Sequence, residues 1–157
     1  MMQHRMKTHP LTKEQIDNLL MKTQTGCLAT LNANGVPYVT PIHFLYFNNA
    51  IYIHGLPKGQ KIDNIKANSS VSMAVYDMDC LLLDPDGKPC DTNTKYQSVI
   101  IEGTAVLLEN IEQKRKILNG IVEKYTPHLV DKPLPENMLK GTAVIGISIN
   151  IVTGKYF

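Results

Sequence analysis

The feature that most constrains the fold is a change in the spacing of apolar residues in the first third of the chain. Ile16, Leu19 and Leu20 lie at the three- and four-residue spacing of one helix face. Further along, apolar and polar residues alternate, as they do in strands that are buried on one face. The two-residue turns Asn34-Gly35 and Asn48-Asn49 interrupt the alternating part. Strands joined by such tight turns run antiparallel, so the sequence predicts one helix followed by an antiparallel meander.

The alternating runs predict six strands, at residues 27–31, 36–47, 50–54, 71–76, 96–109 and 142–152. Helical spacing returns at 60–67 and 111–125, whereas 77–94 is rich in Asp, Pro and Gly and is predicted to be a long loop. Consecutive hairpins exclude a doubly wound parallel sheet, which needs crossover connections. We therefore predict a mainly β fold, a six-stranded antiparallel split β-barrel with peripheral α-helices. Closure or near closure of the barrel is expected because it removes exposed sheet edges.

The length and composition favour one domain that folds without staples. The chain has 157 residues, of which 43% are hydrophobic and 19% are charged. A chain of this length buries roughly 70% of the surface that it exposes when unfolded, which is enough for one core. We expect a single domain over residues 1–157, with residues 1–10 as a flexible N-terminus.

Charge and cysteine content argue against several kinds of partner. The net charge of +2 is too small for the basic surface that binds nucleic acid or membranes. No segment reaches the roughly 20 apolar residues that cross a bilayer. Cys27, Cys80 and Cys90 lack CxxC spacing, so neither a disulfide framework nor a metal site is expected. The sequence predicts a cytoplasmic protein without nucleic-acid, membrane or metal partners.

Residues 54–61 connect a predicted strand to a predicted helix and hold two glycines and two lysines. A helix N-terminus offers unpaired amides and a partial positive charge, which suit a phosphate. Gly59 would let the backbone approach that phosphate, and Lys58 and Lys61 would neutralise it. The residues alone leave a second interpretation open, a solvated turn whose lysines face water.

Other candidate residues lie on the predicted strands. Pro41 cannot donate to a ladder, so it marks either an edge strand or a point where backbone groups are free to meet a flat ligand. His43 and His54 lie on adjacent predicted strands, and without a third ligand they fit a core or cofactor-edge position better than a metal site. Ser98 begins a strand, where its hydroxyl either donates to a phosphate or is simply solvated.

In order along the chain, four segments resemble the pyridoxamine-phosphate-oxidase-like flavoproteins of the split β-barrel superfamily, nearest the nitroimidazole-resistance (Nim-type) proteins. The segments are residues 26–37, 38–44, 51–61 and 96–103, and residues 149–155 resemble the closing strand of the family. The resemblance covers nearly the whole chain.

The resemblance implies a homodimer with flavin mononucleotide (FMN) in a cleft between the subunits. It places the phosphate near basic and small residues after the third strand, and the ring along the second strand. A further contact comes from a neighbouring strand. The cofactor-binding residues implied are, for the phosphate, Lys58, Gly59 and Lys61, with His54 and Gly55 nearby; for the ring, Thr40, Pro41, Ile42 and His43; and from the neighbouring strand, Ser98.

The resemblance also implies an FMN-dependent oxidoreductase that reduces a small organic substrate, nitroaromatic or quinone-like, with NAD(P)H as a possible donor. Oxidation of vitamin B6 is not expected, since the C-terminal segment 147–157 carries Lys155 but no arginine-rich substrate motif. His54 occupies a place comparable to a histidine of the Nim-type proteins with a special role, yet no catalytic residue is assigned. The alternative is a non-catalytic flavin- or haem-binding protein, with His43 or His54 as an axial ligand.

Overall fold

The computed structural model describes residues 4–157 and consists of seven β-strands and five α-helices within that range. The helices are α1 His4–Thr8, α2 Lys13–Lys22, α3 Gln60–Ala67, α4 Ile111–Tyr125 and α5 Glu136–Gly141. The strands are β1 Thr25–Leu31, β2 Pro37–His43, β3 Leu45–Phe47, β4 Ala50–Gly55, β5 Ser70–Leu82, β6 Asn93–Leu107 and β7 Ala143–Tyr156.

All seven strands belong to one sheet, in the order β2-β1-β5-β6-β7-β4-β3, and every neighbouring pair is antiparallel. The mainly β, antiparallel architecture predicted from the hairpin turns is therefore confirmed. Asn48 and Asn49 both have positive φ angles, of 50° and 56°, as the tight turn between β3 and β4 requires. The predicted number of six strands is wrong, and the sheet is open rather than closed.

The additional strand arises because the run predicted at 36–47 divides at Phe44. The Phe44 side chain is fully buried, and its backbone bonds to side chains of α4 instead of a neighbouring strand. Its N–H donates to Tyr125 Oη at 2.9 Å, and its carbonyl accepts from Lys124 Nζ at 3.0 Å. Because β2 and β3 are the two ends of the sheet, this interruption, called the split below, is where the barrel opens.

The core lies between the inner face of the sheet and the helices α2 and α3. Alternate strand residues point inward, and α2 adds the helical stripe found in the sequence. A second, smaller cluster joins α4 to the other face of β4 and β7 through Ile117, Ile121 and Val144. The main cluster includes Ile16, Leu19, Leu20, Leu28, Ile53, Met73, Val99, Ile101 and Ile147.

The long loop predicted at 77–94 is mostly a β-hairpin. β5 continues to Leu82 and β6 begins at Asn93, with a register shift between Met78 and Cys80. Only residues 83–92 connect the strands, and they include a 3₁₀ helix at Pro89–Asp91. The outer part of the hairpin extends beyond the core, so its residues need not alternate between apolar and polar, and the sequence shows no strand signal.

The first residues pack on the C-terminal strand. Met6 of α1 is buried, and Pro10 forms a bridge with Lys155 of β7. The flexibility expected of residues 1–10 stays a prediction, and residues 1–3 lie outside the described residues. Within residues 4–157, no helix is long and apolar enough to cross a membrane.

Candidate functional site

Residues 55–61, called the phosphate turn after the contact predicted for them, carry the chain from the end of β4 into α3. Gly59 is the N-cap of α3 and has a φ of 118°, a conformation that side chains other than glycine rarely adopt. Its carbonyl accepts from the amides of Ile62 and Asp63, which starts the helix. No side chain caps α3, so the amides that precede Ile62 at its start are available to an anion.

Basic groups gather beside the phosphate turn. Burial lowers the pKa of His54, and the nearby charges of His43 and Lys61 lower it further. Burial also lowers the pKa of the Lys61 ammonium, whereas Lys58 is exposed. The structure thus brings together His43, His54 and Lys61, which the sequence singled out separately. A bound anion would stabilise the Lys61 charge and the protonated form of the neighbouring His54.

The predicted ring contacts of β2 lie on two faces of the strand. Ile42 points into the core and is 7% exposed, and Thr40 lies on the same side. Pro41 and His43 point to the other side and are exposed. A flat ligand on one face would therefore meet two of these four side chains, and the others only through their backbone.

Ser98 lies apart from the basic cluster of its own chain. It pairs with Tyr76 of β5 and Lys155 of β7, and strands β1 and β5 separate it from β2. At about 4.8 Å per strand, that is roughly 14 Å across the sheet. Ser98 lines an open cavity of about 350 Å³, together with Tyr76, Tyr96 and Lys155.

Two of the predicted cofactor contacts carry buried hydroxyl groups without a hydrogen-bond partner. They are Thr40 Oγ1 and Ser98 Oγ, and Thr23 Oγ1 is the third such side-chain atom within residues 4–157. Leaving a buried polar atom unpaired costs about 1–3 kcal/mol, so such atoms often mark the place of a ligand or water. Within one chain the two hydroxyls lie on opposite faces of the sheet, so only the start of α3 and the nearby Lys61 ammonium together fit a phosphate.

The outer face of the sheet, from β2 across β1, β5 and β6 to β7, is partly uncovered. Val39 is 57% exposed, Tyr76 54% and Ile151 54%, and Cys27 of β1 is also exposed. Register places these residues on the same face as His43 and Ser98. Exposed apolar faces of this kind are typical of surfaces that associate with another molecule.

Sequence reasoning missed two residues at the C-terminal end of α4. The Lys124 ammonium donates to the carbonyls of Leu20, Thr23 and Phe44, and burial lowers its pKa to about 8. The Tyr125 ring stacks on the His43 imidazole, with ring centres 4.8 Å apart and planes 22° apart. These contacts join segments that are 80 to 104 residues apart, and no local pattern in the sequence signals them.

The open antiparallel sheet with its split at Phe44 fits the split β-barrel class of fold. The chain belongs to the pyridoxamine 5'-phosphate oxidase family, whose sequence model matches residues 12–156. The predicted resemblance to that superfamily is thereby confirmed. No curated protein matches the sequence.

Solved structures with the same fold have low sequence identity. A candidate 5-nitroimidazole antibiotic resistance protein from Bacteroides thetaiotaomicron matches with a TM-score of 0.80 and 23% identity, over 93% of this chain and 85% of that one. The flavocytochrome Anf3 from Azotobacter vinelandii matches with a TM-score of 0.80 and 23% identity, over 93% of this chain and 67% of that one. The FAD- and haem-binding protein from Mycobacterium smegmatis matches with a TM-score of 0.82 and 18% identity, over 92% of this chain and 71% of that one. At these identities, the likeness establishes a shared fold.

Proposed function

We propose that the protein binds FMN and acts as an FMN-dependent oxidoreductase on a small organic substrate. The observation that carries the proposal is the cluster of His43, His54 and Lys61 beside the uncapped N-terminus of α3. Membership of the pyridoxamine 5'-phosphate oxidase family supports it. So do the flavocytochrome and the FAD-binding protein among the proteins that share the fold.

The phosphate end of the proposed site is formed by the phosphate turn. The amides of the first turn of α3 would donate to phosphate oxygens, because Gly59 brings the backbone close without a side chain. Lys61 is half-buried and would supply positive charge at a place where water screens it weakly. Lys58 is exposed and would add a weaker attraction.

The ring end is formed by β2 and the residues around the split. His43 would contact the ring edge or face, and backbone groups of β2 around Thr40 would bond to its polar atoms. When bound, FMN would supply the hydride or electron transfer, while the protein binds, orients and shields it. No side chain is assigned as an acid or base, and the proposed substrate class, nitroaromatic or quinone-like, with NAD(P)H as donor, rests on the family resemblance.

A second copy of the chain would complete the site. Within one chain Ser98 lies three strands away from β2, and it faces the exposed outer side of the sheet together with His43. Two copies packed through this face would bring the orphaned Ser98 hydroxyl of one toward the flavin of the other. We therefore propose a homodimer with FMN at its interface, located in the cytoplasm and without nucleic-acid or membrane partners.

The dimer is tested by charging the outer sheet face. Val39→Glu with Ile151→Lys should give a monomer in sedimentation velocity and lower FMN affinity, since half of the site is lost. Val130→Glu is the matched control, because Val130 is 52% exposed but lies in the loop after α4. A wild-type monomer that retains FMN tightly would contradict the dimer.

Haem binding is the second candidate, favoured by the proximity of His43 and His54. Burial and neighbouring charge keep the His54 imidazole neutral, the form in which a histidine binds iron. Absorption spectra of the purified protein separate the two cofactors. FMN should give absorption bands at about 370 and 450 nm, whereas haem should give a single strong Soret band.

The phosphate assignment is tested by the double variant Lys58→Ala, Lys61→Ala. It should lower FMN affinity by about 10- to 100-fold, because the contact of the half-buried Lys61 is worth about 1.5 kcal/mol or more and that of the exposed Lys58 is worth less. Riboflavin, which lacks the phosphate, should bind the variant as it binds wild type. Lys132→Ala with Lys140→Ala removes the same charge from exposed positions after α4 and should change neither affinity. Unchanged FMN affinity in the first variant would refute the assignment.

A further inference from the structure

The hydroxyl of Tyr125, the last residue of α4, is hydrogen-bonded to the backbone at the split. Tyr125 Oη accepts from the Phe44 N–H at 2.9 Å. The same oxygen lies 2.8 Å from the Phe44 carbonyl and 2.5 Å from the Gln24 carbonyl, and its one proton can be donated to either. Burial raises the pKa of the Tyr125 phenol, so the hydroxyl stays neutral and keeps its proton for these carbonyls.

The neighbouring Lys124 secures the same point. Its ammonium donates to the Phe44 carbonyl and to two carbonyls at the C-terminal end of α2, and it lies 4.2 Å from the centre of the Phe44 ring. The last turn of α4 is thus held against both α2 and the split. Fixed at its hydroxyl end and at its backbone, the Tyr125 ring has little freedom to tilt.

The Tyr125 ring in turn stacks on His43, the last residue of β2. The ring centres are 4.8 Å apart and the planes differ by 22°, a near-parallel arrangement in which one ring restricts the tilt of the other. His43 is nevertheless an exposed residue, so part of its imidazole remains accessible. Its charge reaches His54, which links the stacked pair to the basic cluster.

We propose that Tyr125 is a positioning residue for the flavin ring: by stacking on His43, it holds the imidazole in the plane that receives the ring. This inference rests on the proposed flavin site. Tyr125 acts through His43, whereas the proposed phosphate contacts belong to the phosphate turn. Substitution of Tyr125 should therefore weaken the binding of the flavin ring and leave the phosphate contacts unchanged.

The test compares riboflavin and FMN affinities in a double-mutant cycle. Tyr125→Leu should weaken both ligands by the same factor, about 3- to 10-fold, since an aromatic pair is lost and phosphate contacts remain. His43→Ala should weaken both to a similar extent. In the His43→Ala background, Tyr125→Leu should have no further effect, because the group that it positions is absent.

Tyr52→Leu is the matched control, because Tyr52 is another partly buried ring packed against the α4 cluster. It should lower stability without changing riboflavin affinity. In the ligand-free protein, the ring-proton NMR signals of His43 should shift in Tyr125→Leu and stay in place in Tyr52→Leu. This second readout follows His43 itself and does not depend on bound flavin. Should Tyr125→Leu fail to fold, Tyr125→Phe enters the same cycle, with a smaller loss that His43→Ala should also abolish.

The outcomes separate the two proposals. Wild-type protein that binds neither riboflavin nor FMN refutes the flavin site and this inference with it. Wild-type protein that binds both, with a Tyr125 variant that binds riboflavin as tightly, refutes this inference alone. A loss of riboflavin affinity that persists in full in the His43→Ala background also overturns this inference. So do His43 ring-proton signals that do not shift in Tyr125→Leu.

Discussion

The two ends of the candidate site are built in different ways. The phosphate turn consists of consecutive residues, 55–61, whose glycine, lysines and helix start are all close in sequence. The split is built from residues far apart, because Phe44 and His43 of the sheet meet Lys124 and Tyr125 at the end of α4. The first depends on local backbone conformation, and the second on tertiary packing. Variants at the two ends should consequently fail in different ways.

The largest effect is expected at the split, where Lys124→Met keeps the apolar stem and removes the ammonium. Leu20 and Thr23 then lose a charged donor, so the free energy of unfolding should fall by about 2 kcal/mol. Urea denaturation measures this loss. Lys116→Met is the control, because Lys116 is on the same helix but its ammonium lies over the Phe47 ring. This variant should lower the free energy of unfolding by less than about 0.5 kcal/mol. Equal losses would show that the Lys124 contacts contribute nothing specific.

At the phosphate turn, Gly59→Ala should reduce ligand binding more than it reduces stability. The φ of 118° is strained for alanine, so the turn should relax and move the first amides of α3. FMN affinity should fall by about 10-fold and riboflavin affinity by much less, as isothermal titration calorimetry can show. Gly87→Ala places an alanine at another positive φ, 72°, in the hairpin loop. If Gly87→Ala lowered FMN affinity equally, the local explanation would be wrong.

The smallest effect is a pH dependence that connects the two ends through His54. Burial and the charges of His43 and Lys61 hold its pKa below 6.5 in the ligand-free protein, and a bound phosphate would raise it. Binding then takes up a proton, so FMN affinity should increase as pH falls through the window between the two pKa values. Over that window we expect the FMN affinity of wild type to change by roughly 3- to 10-fold relative to that of His54→Gln. The comparison with His54→Gln also cancels the titration of the phosphate itself.

The sign is opposite for stability without ligand. Because the folded-state pKa of His54 is lowered, the unfolded chain binds more protons than the folded protein just below pH 6.5. Stability of the ligand-free protein should therefore fall as pH decreases through this range, while FMN affinity rises. Denaturation curves of wild type and His54→Gln at pH 5.5 and 7.5 check the first part. Parallel changes in both quantities would contradict the assigned shift.

This contrast also explains what the sequence could predict. The apolar stripe of α2, the alternation of the strands and the tight turns are local, so the antiparallel sheet and the strand-to-helix connection at residues 55–61 were predictable. The division at Phe44 was not, because alternation continues through it and the cause lies in α4. The outer hairpin of β5 and β6 was missed because its residues beyond the core need no apolar period.

The split has a consequence for how the protein resists uncontrolled assembly. It leaves the sheet with two free margins, β2 and β3, and such margins usually invite strand addition by another molecule. β3 has only three residues, and β2 carries Pro37 and Pro41, which have no N–H to offer an incoming strand. Amyloid-like growth along the backbone is thereby hindered at both margins. Any contact with another molecule is thereby directed to the side chains of the sheet rather than to its backbone hydrogen bonds.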